Sequence, residues 1–404
     1  MELPLDFKNL MRAHLGDQQA EHLFEGLCQP PIVSVRFNPR KTEALGVPAL
    51  ADAVPWCPGA FYLPERMAFT FDPLFHAGVY YVQDASSMYL AEVLRRYMPA
   101  GRPLSALDLC AAPGGKSTLL ASHLPQGSVL VSNEPVRKRA QILAENMLKW
   151  CSPTAMDRPS AEPVTCLVTE DYPASFAHLA GSFDLILTDV PCSGEGMFRK
   201  DETAIREWSP DNVRRCVERQ RDILTCILPT LRDGGLLVYS TCTFNRHEDE
   251  EQVGWLVGNG GMELLHERHF FPGRDRGEGI YMAALRKPAA AHHSPEGTAS
   301  PSASLLPKLR RTLNVIAEAG EEGNDTRWQP TDSLLELDYA QAIAYLRREA
   351  LHVAAPRGIV TVTYRGIPLG QAKSVGNRLN NLYPQEWRIR TTYSPTEPVP
   401  DFFP

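Results

Sequence analysis

The stretch Asp108-Leu109-Cys110-Ala111-Ala112-Pro113-Gly114-Gly115-Lys116-Ser117 ends one apolar run, over 104–109, and opens a helical pattern over 116–124. Small residues at such a junction let backbone N–H groups and a helix N-terminus approach a ligand closely. A phosphate-binding loop would place Gly, four residues, then Gly-Lys-Ser/Thr here. Gly115-Lys116-Ser117 supplies the end of that signature and Asp189 imitates the magnesium-holding partner, but Cys110 stands where the first glycine belongs. A dinucleotide loop would read GxGxxG, which is absent. A methyltransferase loop needs the same small residues and an acid after the second strand for ribose hydroxyls. Glu134 is such an acid, about 20 residues beyond the glycines, the reach expected on this kind of sheet.

Outward from this loop, short apolar runs at 128–132, 164–168, 183–188 and 235–240 alternate with helical patterns at 136–150 and 210–232. Such alternation predicts a mainly parallel, doubly wound α/β sheet covered on both faces. Ligands of these sheets bind beyond the strands' carboxyl ends. Cys110, Glu134, Asp171, Asp189, Cys192 and Cys242 each follow a predicted strand, so one rim should collect them.

The flanks differ in character. Residues 1–100 combine a helical pattern with the alternating run Ile32-Val33-Ser34-Val35-Arg36-Phe37 and an aromatic, proline-rich half, which predicts an N-terminal α+β module. Gln83-Asp84-Ala85-Ser86-Ser87 offers caps for a helix over 88–96 that leads into the central domain, 101–287. Residues 288–304 are Pro-, Ala- and Ser-rich and read as a linker; Cys151 to Pro163 reads as a surface insertion. The remainder, 305–404, predicts a helix over 333–349 and a small β-rich module around Ile359-Val360-Thr361-Val362-Thr363-Tyr364.

A net charge of −7 argues against non-specific coating of nucleic acid, so any such contact falls to local basic patches, among them Arg199, Lys200 and the stretch Arg206 to Arg221. Nine cysteines without CxxC spacing support neither a disulfide framework nor a zinc ribbon, and no metal is expected. No apolar run reaches the ~18 residues of a membrane span and the start lacks a signal-peptide pattern, so the expectation is a cytoplasmic monomer with no membrane partner.

Asp189-Val190-Pro191-Cys192-Ser193-Gly194-Glu195-Gly196, Trp208-Ser209-Pro210 and Tyr239-Ser240-Thr241-Cys242-Thr243-Phe244-Asn245 with Glu248-Asp249-Glu250-Glu251 carry a resemblance, together with the glycine loop. The chain resembles the Sun-type RNA cytosine-5 methyltransferases, most of all the bacterial small-subunit ribosomal-RNA methyltransferase F group. The likeness implies a Rossmann-like class I methyltransferase fold with a seven-stranded sheet and a C-terminal PUA-like RNA-binding module, carried by Tyr364-Arg365-Gly366 to Leu379. It implies S-adenosylmethionine as cofactor and RNA as partner, with 16S rRNA or the small ribosomal subunit favoured over tRNA. A non-catalytic RNA-binding assembly factor is the alternative from another class, opposed by the intact Cys192, Cys242 and Asp189.

Cytosine C5 is a poor nucleophile until a thiolate adds to C6, and only the deprotonated thiol adds. The resemblance assigns that thiol to Cys242 and assigns proton removal or adduct breakdown to Cys192. DNA cytosine-5 enzymes use the Pro-Cys position instead, which keeps the reverse assignment open. Asp189 would bond the cytosine N4 and N3 positions. Cys110, Ala111, Ala112, Pro113, Gly114, Gly115 and Lys116, with Glu134, Asp171 and Asp189, would surround the cofactor, and Lys116 has RNA phosphate as a second possible partner. Phe198 is a candidate base-stacking platform or a core residue. Arg36, Arg40, Lys41, Arg365 and Lys373 would extend the RNA footprint.

Overall fold

The computed structural model describes residues 2–152, 163–289, 304–320, 331, 333–393, 395 and 399–403. Most of the predicted insertion and nearly all of the predicted linker lie outside the described residues; Cys151, read with the insertion, instead ends the helix Arg137–Cys151.

The N-terminal module begins with two helices, Leu5–Leu15 and Asp17–Leu27, that break at Gly16, whose φ of 79° favours glycine. It continues into a three-stranded antiparallel sheet of β1 (Val33–Phe37), β2 (Ala60–Leu63) and β3 (Tyr80–Val82), ordered β2-β1-β3. The helix predicted over 88–96 runs Leu90–Tyr97 after a short 3-10 turn, with Asp84 accepting from the Ser87 N–H.

The central sheet contains β4 (Ser105–Asp108), β5 (Val129–Asn133), β6 (Thr165–Thr169), β7 (Phe183–Asp189), β8 (Leu231–Thr241), β9 (Glu263–Phe270) and β10 (Ile280–Arg286). An eighth strand, β11 (Val315–Ala319), completes the order β11-β6-β5-β4-β7-β8-β10-β9. Pairings from β6 to β8 are parallel and those of β9, β10 and β11 are antiparallel. The expected count of seven is therefore corrected to eight. The extra strand comes from residues read with the C-terminal module: the helix Leu306–Thr312 buries Leu306 and Leu309 in the sheet's own core, and β11 then zips onto β6. Helices Gly115–His123, Arg137–Cys151 and Pro210–Ile227 cover the faces. The chain crosses from one side of the sheet to the other at β4, with β5 on one flank and β7 on the other, so the ligand crevice lies at their carboxyl ends.

The C-terminal module is a four-stranded sheet of β12 (Leu334–Glu336), β13 (Gly358–Tyr364), β14 (Ile367–Ser374) and β15 (Leu379–Asn381), with a helix Tyr339–Leu346. The helix predicted over 333–349 is thus split. Leu334–Glu336 pairs in parallel with β13, and Asp338 starts the helix through a capping box with Gln341.

Two cations expected on the RNA footprint instead hold the modules together. Arg36, 2% exposed, donates to Gln83 Oε1 (2.9 Å), Thr118 Oγ1 (2.6 Å) and the Gly115 carbonyl (3.1 Å), and lies over the Trp150 ring. Lys41 Nζ donates to the carbonyls of Ala77 and Lys149 and to Ser152 Oγ. Both are buried where main-chain carbonyls at the module joint supply acceptors for their N–H groups.

The C-terminal segment returns to the N-terminal module. Phe402 and Phe403, 4% and 3% exposed, pack edge-on against Phe37, each at 5.5 Å between ring centroids, and the Ala49 N–H donates to the Phe402 carbonyl. Truncating a buried Phe costs about 3–5 kcal/mol. Phe402→Ala should therefore move the urea unfolding midpoint well down, while an exposed control, Tyr393→Ala, should barely move it.

Candidate active site

The loop Cys110–Lys116 opens where β4 ends, and Gly114 adopts φ 115° so that the chain can turn straight into the helix Gly115–His123. A Cβ there would come within 3.3 Å of Leu143. Beneath the loop, Asp108 is fully buried: one oxygen accepts from Ser117 Oγ at 2.6 Å, and the other has no partner among the described residues. Burial pushes the Asp108 carboxyl up to about 7. Glu134, after β5, accepts from the Val136 N–H (2.9 Å) and lies 3.3 Å from Arg139. Asn133, which the sequence reading missed, ties three strand ends together: it donates to the Leu109 and Asp171 carbonyls and accepts from Thr169 and the Asp171 N–H. Asp171 stands on the same rim, one carboxylate oxygen accepting from the Asn314 N–H at 2.8 Å.

Across the crevice, β7 ends in Asp189 and β8 in Thr241, and the loops beyond them carry Cys192 and Cys242. The two Sγ atoms are 3.2 Å apart, and the Cys242 N–H donates to Cys192 Sγ at 3.3 Å. Both thiols are half-buried. The Cys192 thiol is held well above its ordinary pKa, first by its hydrogen bond to Cys242 and then by burial. Either sulfur can be the donor in this contact, and the Cys242 N–H offers Cys192 Sγ a further donor. Cys110 is also pushed up, by burial. Its surroundings favour a packed thiol.

Asp189 joins the two halves. Its Oδ1 accepts from Ser240 Oγ at 2.7 Å and its Oδ2 lies 2.8 Å from Lys116 Nζ. Burial draws the Lys116 pKa down, but Asp189 outweighs it and leaves it above its ordinary value. Lys116 thus lies in an ion pair with Asp189. A cation from the glycine loop and a carboxylate from the next strand thus face one crevice beside the thiols.

Other expectations are corrected. Phe198 is 2% exposed and packs edge-on against Phe7 at 5.1 Å, so it belongs to the core between the N-terminal helices and this loop. Arg199 is buried against Glu278 at 2.8 Å, which removes it from the basic patch.

Two buried acids were not singled out from sequence. Glu195 Oε1 accepts from Trp208 Nε1 and Asn245 Nδ2, each at 2.9 Å, and its Oε2 from the Phe244 N–H at 2.6 Å. Glu248 accepts from the Ser193 N–H (3.0 Å), Gln220 Nε2 (2.8 Å) and Asn245 Nδ2 (2.8 Å). Burial, then the neighbouring Glu195, push Glu248 up to about 7. The available signal was a glutamate within an otherwise small-residue loop after Cys192 and an Asn-x-x-Glu pattern after Cys242.

The chain is similar to known proteins over each of its modules. Residues 103–286 match the model of the 16S rRNA methyltransferase RsmB/F family, residues 3–85 that of the N-terminal domain of 16S rRNA methyltransferase RsmF, and residues 333–389 that of the methyltransferase RsmF PUA domain. A ribosomal RNA small subunit methyltransferase F from Cronobacter sakazakii is 30% identical, over 95% of this chain and 96% of its own. Among solved structures, a methyltransferase homolog protein from Pyrococcus horikoshii superposes with a TM-score of 0.56 at 24% identity, over 70% of this chain and 94% of that one. The Pyrococcus horikoshii NSun6 structure determined with SFG gives 0.55 at 18% identity, over 70% and 98%. Among the described residues no helix is long and apolar enough to cross a membrane.

Proposed function

This chain belongs to the 16S rRNA methyltransferase RsmB/F family of S-adenosylmethionine-dependent RNA (cytosine-5) methyltransferases, and we propose that it methylates C5 of a cytosine in small-subunit ribosomal RNA through a Cys242 adduct. The observation that carries the proposal is the pair of thiols 3.2 Å apart beside the Asp189–Lys116 ion pair, at the carboxyl ends of adjacent strands.

The cofactor's surroundings fit. The loop Ala111-Ala112-Pro113-Gly114-Gly115 presents no bulky side chain, the buried Asp108 Oδ1 awaits a donor, and Glu134 and Asp171 line the neighbouring strand ends. Cys110 to Lys116, Glu134, Asp171 and Asp189 would hold S-adenosylmethionine, which supplies an electrophilic methyl group when bound.

The chain's own residues account for the rest. Asp189 and Lys116 hold the cytosine N4 and N3 edge and lower electron density at C6. Cys242 thiolate adds to C6, forming the S–C6 bond and making C5 nucleophilic. At the release stage Cys192 passes its own proton to solvent, and its thiolate takes the C5 proton. The C5–H electron pair becomes the C5=C6 double bond, and the S–C6 pair leaves with Cys242. The target must be unpaired or flipped, because C5 and C6 of a stacked base are out of reach of a thiol in a crevice.

The test is to incubate the protein and methyl-labelled S-adenosylmethionine with total RNA and, separately, with small subunits from a strain lacking it, then to identify the labelled RNA and nucleoside. Label is expected in 5-methylcytidine of small-subunit rRNA. Label in tRNA would overturn the substrate, and label on adenosine the chemistry.

A further inference from the structure

Glu195 and Glu248 cross between the two thiol loops. Glu195 lies three residues after Cys192, yet its carboxylate holds the Phe244 N–H, two residues past Cys242. Glu248 lies six residues after Cys242, yet holds the Ser193 N–H, one residue past Cys192. Asn245 donates to both, and Glu195, Asn245 and Glu248 are each 0% exposed. Gln220 extends the brace, its Nε2 donating to Glu248 at 2.8 Å and to the Pro191 carbonyl at 3.1 Å. Every partner of both carboxylates is a donor, so each acid sits in a site built for an acceptor.

Two carboxylates buried side by side are costly, and well-packed apolar residues would often serve stability as well or better. Buried polar networks that are fully satisfied do, however, fix one geometry. Here the geometry they fix is the seating of one thiol loop on the other. We infer that Glu248 is a positioning residue for Cys192, holding its loop so that the covalent RNA intermediate is released, while Glu195 holds the Cys242 loop in the matching register. This rests on the thiol roles proposed above. Formation of the adduct draws on Cys242, Asp189 and Lys116. Release alone also requires Cys192 in place, so loosening the Ser193 anchor should divide the two steps.

The experiment compares Glu248→Gln with wild type and with Cys192→Ala in single-turnover and multiple-turnover assays on the rRNA substrate, scoring denaturant-resistant protein–RNA adduct. Gln replaces one acceptor oxygen with an amide nitrogen that faces donors, so the Ser193 loop loses its seat. The inference expects adduct to form within about threefold of the wild-type rate and to accumulate, with steady-state turnover at least tenfold lower. Equal slowing of formation and release, or lost turnover without adduct, would overturn it and leave Glu248 a residue of fold stability only. If Glu248→Gln fails to bind cofactor, Gln220→Leu decides, since it keeps both carboxylates and removes the two bonds that brace the Pro191 side. Gln220→Leu must then accumulate adduct, and wild-type partitioning in it overturns the inference. A Cys192→Ala control that traps no adduct would show instead that the underlying thiol roles are wrong, and the inference falls with them.

Discussion

Cys192→Ala protein mixed with substrate RNA and S-adenosylmethionine should accumulate a protein–RNA adduct that survives denaturing electrophoresis, while multiple turnover falls about 10²–10⁴-fold, the range for loss of a positioned acid or base. The expectation follows from the geometry of the thiol pair. Cys192 Sγ sits 3.2 Å from Cys242 Sγ, at the distance of a proton partner for whatever Cys242 binds. Removing it leaves Cys242, Asp189 and Lys116 untouched, so addition to C6 proceeds. The C5 proton then has no acceptor, and the S–C6 bond cannot break. The readout is a gel-shifted band requiring both RNA and cofactor. A Cys192→Ala protein that is inactive with no such band would mean that Cys192 acts in the addition step.

Cys242→Ala should give the opposite pattern: no adduct, and methylation reduced by at least about 10⁴-fold, as expected when a covalent nucleophile is lost. Cofactor binding should remain, since Cys242 stands on β8's loop and the cofactor-facing loop follows β4. Equilibrium binding of S-adenosylmethionine separates lost chemistry from a lost fold. Residual turnover within a hundredfold of wild type in Cys242→Ala would exclude the assigned nucleophile.

The parallel sheet was readable because its inner strands are buried on both faces. Phe183–Asp189 is buried from Phe183 to Thr188 around the apolar run Leu185-Ile186-Leu187, and such a run followed by turn signals favours a buried strand. The rim residues followed, since period and strand ends place them without any tertiary information. β11 escaped because an edge strand is short and half-exposed, and Val315–Ala319 carries no alternation that distinguishes it from a loop. Arg36 and Lys41 were read as an RNA footprint because an isolated cation is usually solvated. Only the fold reveals that the carbonyls of Gly115, Ala77 and Lys149 converge to accept from them. Glu195 and Glu248 were opaque for the same reason. A carboxylate's donors come from three separate segments, and no spacing in the chain announces that Ser193, Gln220 and Asn245 meet.

The most direct test of the account uses the wild-type protein and small-subunit rRNA transcribed with 5-fluorocytidine. Fluorine at C5 cannot leave as a cation, so methyl transfer stops at the covalent stage without any substitution in the protein. Proteolysis of the trapped complex followed by mass spectrometry locates the nucleotide. The account predicts a methylated fluoropyrimidine on the peptide containing Cys242. The same nucleotide on the Cys192 peptide would contradict it.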